Sequence, residues 1–205
     1  MSVFVKLCGL CQASDIAAAN EAMPDAVGFV FWPRSARAVR AEQVAAWTAE
    51  LHPGIERVGV FVNAELDQVR RTVEMARLTI VQLHGDEPPA LVRELGVRVW
   101  KALPASTTSP HRAARWDAEA IVLDSGAAEQ PGGTGRPADW TRAAAFVRAF
   151  SGRVVLAGGL TPENVTEAIR QVSPWGVDVS SGVESAPGRK DPARMKDFVQ
   201  RCRAI

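Results

Sequence analysis

The chain has 205 residues, of which 47% are hydrophobic and 23% are charged, and its formal net charge is +1. This length predicts one domain over residues 1–205, and the interleaved, nearly balanced charges argue against nucleic acid as a partner. The sequence has no run of about 18 apolar residues and no features of a secretory leader, so we expect a cytoplasmic protein without a membrane partner. Three cysteines are too few for a disulfide framework, which fits a reducing compartment.

Short runs rich in β-branched and aromatic residues alternate along the chain with amphipathic runs rich in Ala, Arg and Glu. The predicted strands cover residues 3–8, 26–31, 57–62, 79–83, 98–102, 120–124, 153–157 and 176–180. The predicted helices cover residues 13–22, 41–51, 66–75, 89–95, 110–115, 140–150, 163–172 and 192–203. This alternation favours βα units around a parallel sheet. We predict an α/β fold, a single-domain (β/α)8 TIM barrel with short loops; an open doubly wound sheet is the alternative.

Polar residues close several of the predicted strands. Cys8 ends the first strand, Arg37 follows the second, His84 follows the fourth and Asp124 ends the sixth. In a (β/α)8 barrel the chemistry lies at the C-terminal ends of the strands. These four residues are therefore the first candidates for an active site.

Small residues follow the last two predicted strands. Gly158 and Gly159 come after the seventh strand, and Ser180, Ser181 and Gly182 come at and after the end of the eighth. Without a Cβ, a glycine lets the backbone amide approach a phosphate, and a following helix start adds a favourable dipole. Because barrels often bind phosphate after strands seven and eight, we predict a phosphate site at these five residues.

The candidate residues suit proton transfer on a sugar phosphate. A Cys8 thiolate can act as a base, and a cation at Lys6, on the same strand face, would lower the thiol pKa from about 8.5 towards neutrality. Asp124 ends an apolar run, so burial would raise its pKa and let it act as an acid. Arg37 can bind a carboxylate with its planar fork. If the first and last strands meet, Lys6 and Asp178 can pair inside the barrel.

Each assignment has a structural alternative. Cys8 could be a small buried hydrophobe, and Asp124 could cap a loop. His84 could orient an aspartate or the substrate, or it could tie Gln82 and Glu87 into a loop. The segment Gly132–Gly135 does not match a P-loop and is interpreted as a hinge or lid.

The spacing Cys8-Gly-Leu-Cys11 also fits a redox or metal motif. No second cysteine pair and no nearby histidine support that interpretation, and a metal or disulfide would occupy the proposed base. We therefore expect no metal site.

Several motifs occur in one order along nearly the whole chain: Lys6-Leu-Cys-Gly9, Gln82-Leu-His-Gly85, Ala157-Gly-Gly-Leu160 and Asp178-Val-Ser-Ser-Gly-Val-Glu184. With them the sequence resembles the phosphoribosylanthranilate isomerase family. The resemblance implies a (β/α)8 enzyme of tryptophan biosynthesis that converts N-(5-phosphoribosyl)anthranilate to 1-(2-carboxyphenylamino)-1-deoxyribulose 5-phosphate, an Amadori rearrangement.

The resemblance also implies residue roles. Asp124 would protonate the ribose ring oxygen, Cys8 would remove the C2′ proton, and Arg37 would bind the anthranilate carboxylate. We expect His84 and Asp178 to bind substrate as well. The implied partner is a small phosphoribosyl substrate, no cofactor is required, and the protein is expected to be a monomer or a homodimer.

Other functions remain open from sequence alone. The histidine-pathway aminoaldose isomerase shares the fold and the chemistry, but it uses an aspartate where this chain has Cys8, and a dual-substrate isomerase is expected to do the same. A barrel that binds phosphate ligands without turnover is the non-enzyme alternative, against which Cys8, Arg37 and Asp124 argue.

Overall fold

The strands form a closed parallel ring in which each strand pairs with the next and the first pairs with the last. The structure is a computed structural model and describes residues 3–124 and 140–205. Within these residues the strands of the ring are β1 (Phe4–Cys8), β2 (Ala26–Val30), β3 (Glu56–Phe61), β4 (Ile80–Leu83), β5 (Arg98–Pro104), β6 (Ala120–Asp124), β7 (Arg153–Ala157) and β8 (Gly176–Val179). The predicted (β/α)8 TIM barrel is confirmed.

A helix follows each strand on the outside of the ring. The helices are α1 (Ala13–Ala22), α2 (Ala41–Thr48), α3 (Leu66–Met75), α4 (Ala90–Glu94), α5 (Pro110–Ala113), α6 (Trp140–Ala149), α7 (Val165–Val172) and α8 (Pro192–Arg203). Short 3-10 turns cover Ala114–Trp116 and Ser181–Val183. Across the two described segments, no helix is long and apolar enough to cross a membrane.

Period-two alternation along the strands separates two apolar regions. One set of side chains packs between the strands and the helices, with Leu7, Phe29 and Leu83 among its members. The other set fills the barrel interior around the buried indole of Trp100. Next to it the rings of Phe4 and Trp175 stack with centroids 4.6 Å apart. The N-terminal end of the barrel is thus filled by aromatic rings.

The region after β8 differs from the prediction. A small antiparallel hairpin, β9 (Glu184–Ala186) and β10 (Arg189–Lys190), lies between the 3-10 turn and α8. Gly188 has a φ of 74° in its turn. Strands of three and two residues are too short to show an alternating pattern in the sequence.

A buried ion pair joins the first and the last strand of the ring. Lys6 on β1 lies opposite Asp178 on β8, and Lys6 Nζ is 2.8 Å from Asp178 Oδ2. The Lys6 side chain has no exposed surface and that of Asp178 is 8% exposed. The predicted pairing of these residues inside the barrel is confirmed.

Substitution of one partner tests how much this pair contributes to the free energy of unfolding. Lys6→Met is expected to lower the free energy of unfolding by roughly 3–5 kcal/mol, because it leaves the Asp178 charge buried without its cation. Urea unfolding followed by circular dichroism measures the change. The control is Arg201→Met, which removes an exposed partner of Asp197 within α8 and should have little effect. Equal stability of Lys6→Met and the wild type would contradict the expectation.

Candidate active site

A cavity opens at the C-terminal ends of the barrel strands. The predicted site residues that line it are Cys8, Arg37, His84, Asp124, Gly158, Gly159, Asp178, Ser180 and Ser181. Barrel closure therefore brings together groups from β1, β6 and β8 and from the segments that follow β2, β4 and β7.

The Cys8 thiol lies inside the ring next to β2. A Cβ placed on Gly28 would lie 2.7 Å from Cys8 Sγ and 3.1 Å from Lys6 Cε. Glycine at this position of β2 therefore leaves room for the Cys8 and Lys6 side chains. Only 8% of Cys8 is exposed, and it lines the cavity.

The expectation that Lys6 lowers the Cys8 pKa below its ordinary value is wrong. Burial raises the pKa of the Cys8 thiol, and this effect exceeds the opposing effects of Lys6 and Lys190. Asp178, which is paired with Lys6, raises the Cys8 pKa further. The sequence analysis predicted both the Lys6–Asp178 pair and a lowered Cys8 pKa, but it did not weigh burial of the thiol against a cation that is already paired.

Asp124 and His84 form a hydrogen-bonded pair across the cavity wall. His84 Nε2 is 3.1 Å from Asp124 Oδ2, and His84 Nδ1 is 3.2 Å from Gln82 Nε2. If the Gln82 amide donates to Nδ1, then Nε2 carries the proton and donates to the carboxylate. The contact with Asp124 agrees with the alternative in which His84 orients an aspartate, and the contact with Gln82 agrees with part of the structural alternative. Glu87 instead accepts backbone amides and contacts Lys101.

Arg37 is held by an internal carboxylate. Its Nε and Nη2 groups lie 2.7 Å from the two oxygens of Glu184, and Lys190 Nζ lies 2.8 Å from the same carboxylate. Burial acts to raise the pKa of Glu184, but its bonds with Arg37 and Lys190 bring that pKa below its ordinary value. Two cations thus share one carboxylate, and the group keeps one net positive charge. Glu184 occupies the edge of the guanidinium formed by Nε and Nη2. The Nη1 side is the one that can bind the expected substrate carboxylate.

The Asp178 carboxylate contacts Lys6 and also lines the cavity. Its Oδ2 accepts from Lys6, whereas Oδ1 is buried without a hydrogen-bond partner within the described residues. A buried carboxylate oxygen in this state is costly unless a ligand satisfies it. This geometry suits the expected role of Asp178 in binding substrate.

The predicted phosphate site lies along the other side of the cavity. Gly158 and Gly159 have φ values of 88° and 67°, a conformation that favours glycine. The Asn164 side chain donates to the Gly159 carbonyl over 2.9 Å and fixes this turn. Ser180 and Ser181 follow β8, and the helix start predicted after them is one 3-10 turn.

Gly182 is not among the residues that line this cavity but lines a neighbouring one. A Cβ on Gly182 would collide with the Leu160 carbonyl oxygen, so glycine permits the turn after β8 to pack against the loop after β7. Its carbonyl accepts from Arg194 Nε at 3.1 Å. A structural reason thus exists for this glycine, and its contact with phosphate stays a prediction.

The second cysteine of the Cys8-Gly-Leu-Cys11 spacing has a different environment. Cys11 Sγ lies 2.8 Å from the Gly188 carbonyl oxygen in the β9–β10 turn, and both cysteines are free thiols. In the parts of the chain that the structure describes, no group of His, Cys, Asp and Glu side chains has the arrangement of a metal site. The expected lid at Gly132–Gly135 lies outside the described residues.

Sequence reasoning gave no role to Glu184, Lys190 or Lys101. Glu184 ends one of the motifs that carried the resemblance, but the pattern does not show which partners it meets. Lys101 gives a weak signal, because it is a charged residue inside the apolar strand β5. A lysine in that setting indicates a buried partner.

Fold and cavity together define a (β/α)8 barrel of the enzyme type, with a thiol, carboxylates and a guanidinium group around one cavity at the C-terminal ends of its strands. The family model described as N-(5'phosphoribosyl)anthranilate (PRA) isomerase matches residues 5–201. A relative named N-(5'-phosphoribosyl)anthranilate isomerase, from Geobacter sulfurreducens, is 47% identical over 204 residues and covers 98% of both chains. The chain belongs to the phosphoribosylanthranilate isomerase family and is an isomerase of tryptophan biosynthesis.

Solved structures agree with this assignment. A structure of monomers of the dimeric phosphoribosylanthranilate isomerase from Thermotoga maritima is 38% identical, has a TM-score of 0.85 and covers 99% of this chain and 100% of its own. A phosphoribosyl anthranilate isomerase in complex with reduced 1-(o-carboxyphenylamino)-1-deoxyribulose 5-phosphate is 36% identical, with a TM-score of 0.84 and coverage of 99% and 100%. Both similarities extend over nearly the whole barrel.

The raised pKa of Cys8 predicts how the free enzyme reacts with iodoacetamide. Because only the thiolate is alkylated, the rate at Cys8 should keep rising as pH increases above about 8.5, the pKa of an ordinary thiol. Peptide mass spectrometry of the Cys11→Ser variant measures the rate at Cys8 without competition from the neighbouring thiol. A rate that is already constant near neutral pH would show a lowered pKa and contradict the expectation.

Proposed function

We propose that the cavity binds N-(5'-phosphoribosyl)anthranilate with its phosphate at the turns after β7 and β8 and its carboxylate near Arg37. One observation carries the proposal: Cys8 and Asp124 line the same cavity, together with a cationic group and a glycine-rich turn. A substrate with an anion at each end would be held by the turn and the cationic group, so that its middle part lies next to Cys8 and Asp124. Proximity of this kind removes much of the entropic cost of reaction.

Asp124 acts as the general acid in the first step. Its carboxyl proton passes to the ribose ring oxygen, the bond from C1′ to that oxygen breaks, and the anthranilate nitrogen forms a C=N bond with C1′. The His84 hydrogen bond to Oδ2 supports this role because it orients the carboxyl group.

Cys8 acts as the general base in the second step. The thiolate takes the C2′ proton, the bonding electrons form a C1′=C2′ double bond, and the nitrogen regains its lone pair. The resulting enolamine gains a proton at C1′ and loses the proton of the C2′ hydroxyl, which gives the ketone. No proton or electron is gained overall, so the step needs no external oxidant or reductant.

Charge and burial support the placement of the substrate. The group formed by Arg37, Glu184 and Lys190 has one net positive charge, which one carboxylate would neutralise. The Asp178 Oδ1 atom can accept a hydrogen bond from a ribose hydroxyl. For this chain, a monomeric or homodimeric state and a cytoplasmic location stay predictions from the sequence.

Substitution of the two proton-transfer groups tests the proposal. Cys8→Ala and Asp124→Asn are each expected to lower kcat about 10²- to 10⁴-fold, the usual contribution of general acid–base catalysis. Loss of anthranilate fluorescence during turnover measures kcat, and circular dichroism checks the fold. Cys11→Ser, a cysteine substitution close to the base in the sequence, should be mild. The base assignment fails if Cys11→Ser is the inactive variant or if Cys8→Ala retains its activity.

A further inference from the structure

Another ion pair, between Lys101 and Glu87, is buried outside the cavity, and the proton-transfer steps do not use it. Lys101 on β5 and Glu87 after β4 have side chains that are 1% and 2% exposed, with Nζ 2.7 Å from Oε2. Neither residue lines the cavity. Burying two charges costs several kcal/mol per ion, and a buried pair often contributes no more stability than an apolar one. The pair therefore calls for an explanation other than stability.

The Lys101 ammonium group binds the backbone on both sides of His84. It lies 3.4 Å from the Leu83 carbonyl oxygen and 2.6 Å from the Gly85 carbonyl oxygen. With Glu87 as its third acceptor, all three N–H groups of the ammonium can be satisfied. The cation thus fixes the peptide groups that precede and follow His84.

The Glu87 carboxylate completes the same turn. Its Oε1 atom accepts the Gly85 amide at 3.1 Å and the Asn63 amide at 2.9 Å. Asn63 Oδ1 in turn accepts the Asp86 amide at 2.7 Å. The turn after β4 is therefore tied to β5 through Lys101 and to the loop after β3 through Asn63.

The turn after β4 is connected to the proposed acid, Asp124, through His84. The His84 amide donates to the Phe61 carbonyl over 2.8 Å, so the residue is fixed at its backbone as well. Its ring then reaches Asp124 Oδ2 at 3.1 Å. A shift of the turn would change the direction of the bond that orients the carboxyl group.

We propose that Lys101 is a positioning residue of the isomerase: with Glu87 it fixes the turn at residues 83–87 and so holds the His84 ring against Asp124. The proposal rests on the function proposed above, in which Asp124 is the acid. It predicts that Lys101 acts on kcat through His84 and leaves the phosphate and carboxylate contacts of the substrate intact.

A double-mutant cycle with His84 tests this coupling. Lys101→Met should lower kcat about 10²-fold, the effect of a small misplacement of a catalytic group, with KM nearly unchanged. In the His84→Ala background the same substitution should have little further effect. Lys196→Met, on the exposed face of α8, is the matched control and should leave both constants unchanged.

The double variant Lys101→Met with Glu87→Gln separates positioning from stability. It removes both buried charges, while the amide oxygen introduced by Glu87→Gln can still accept the Gly85 and Asn63 amides, so the free energy of unfolding should recover. The bonds to the Leu83 and Gly85 carbonyls stay absent, so kcat should stay low. Recovery of kcat together with stability would overturn the proposal, and so would independent, multiplicative effects of Lys101→Met and His84→Ala. If His84→Ala retains full kcat, the role of His84 is itself wrong, and this inference is overturned with it.

Discussion

The ion pair between Lys6 and Asp178 determines how the barrel closes. Removing either partner would leave an unpaired charge inside the ring, so the first and last strands are held in the register that joins these residues. Two residues further along the chain from each partner lie Cys8 and Ser180. Closure thus places the proposed base beside the turn proposed to bind phosphate. The closure of the ring therefore sets the distance between the proposed base and the proposed phosphate site.

The same pairing distributes the charges of the cavity. Because Asp178 neutralises Lys6, this cation stabilises the Cys8 thiolate less than its position suggests, and burial raises the thiol pKa. At a given pH the Cys8 thiol of the free protein is therefore ionised to a smaller extent than an ordinary thiol. The cationic excess lies instead at Arg37 and Lys190, which share Glu184. The substrate carboxylate is therefore expected at this cationic group and not at the neutralised pair between β1 and β8.

Sequence patterns predict the features that depend on local periodicity. The alternation of strand-like and helix-like runs predicts the ring and the polar strand ends at His84 and Asp124, and the period of two within a strand predicts the shared face of Lys6 and Cys8. The same patterns do not predict the direction of the Cys8 pKa shift, because strand alternation does not weigh burial against charge. They also do not predict the partners of Glu184 and Lys101. Those partners come from loops whose approach depends on the finished barrel, and the β9–β10 hairpin is too short to leave a periodic signal.

In the proposed binding mode the acid and the base lie between two separate anion-binding ends of one cavity. A crystal structure of this protein with reduced 1-(o-carboxyphenylamino)-1-deoxyribulose 5-phosphate would show both ends at once. We expect phosphate oxygens at the backbone amides of Gly159, Ser180 and Ser181, the ligand carboxylate at Arg37, and C2′ next to Cys8 Sγ. A ligand bound in the opposite direction, with its phosphate at Arg37, or bound away from Cys8 and Asp124, would contradict this binding mode.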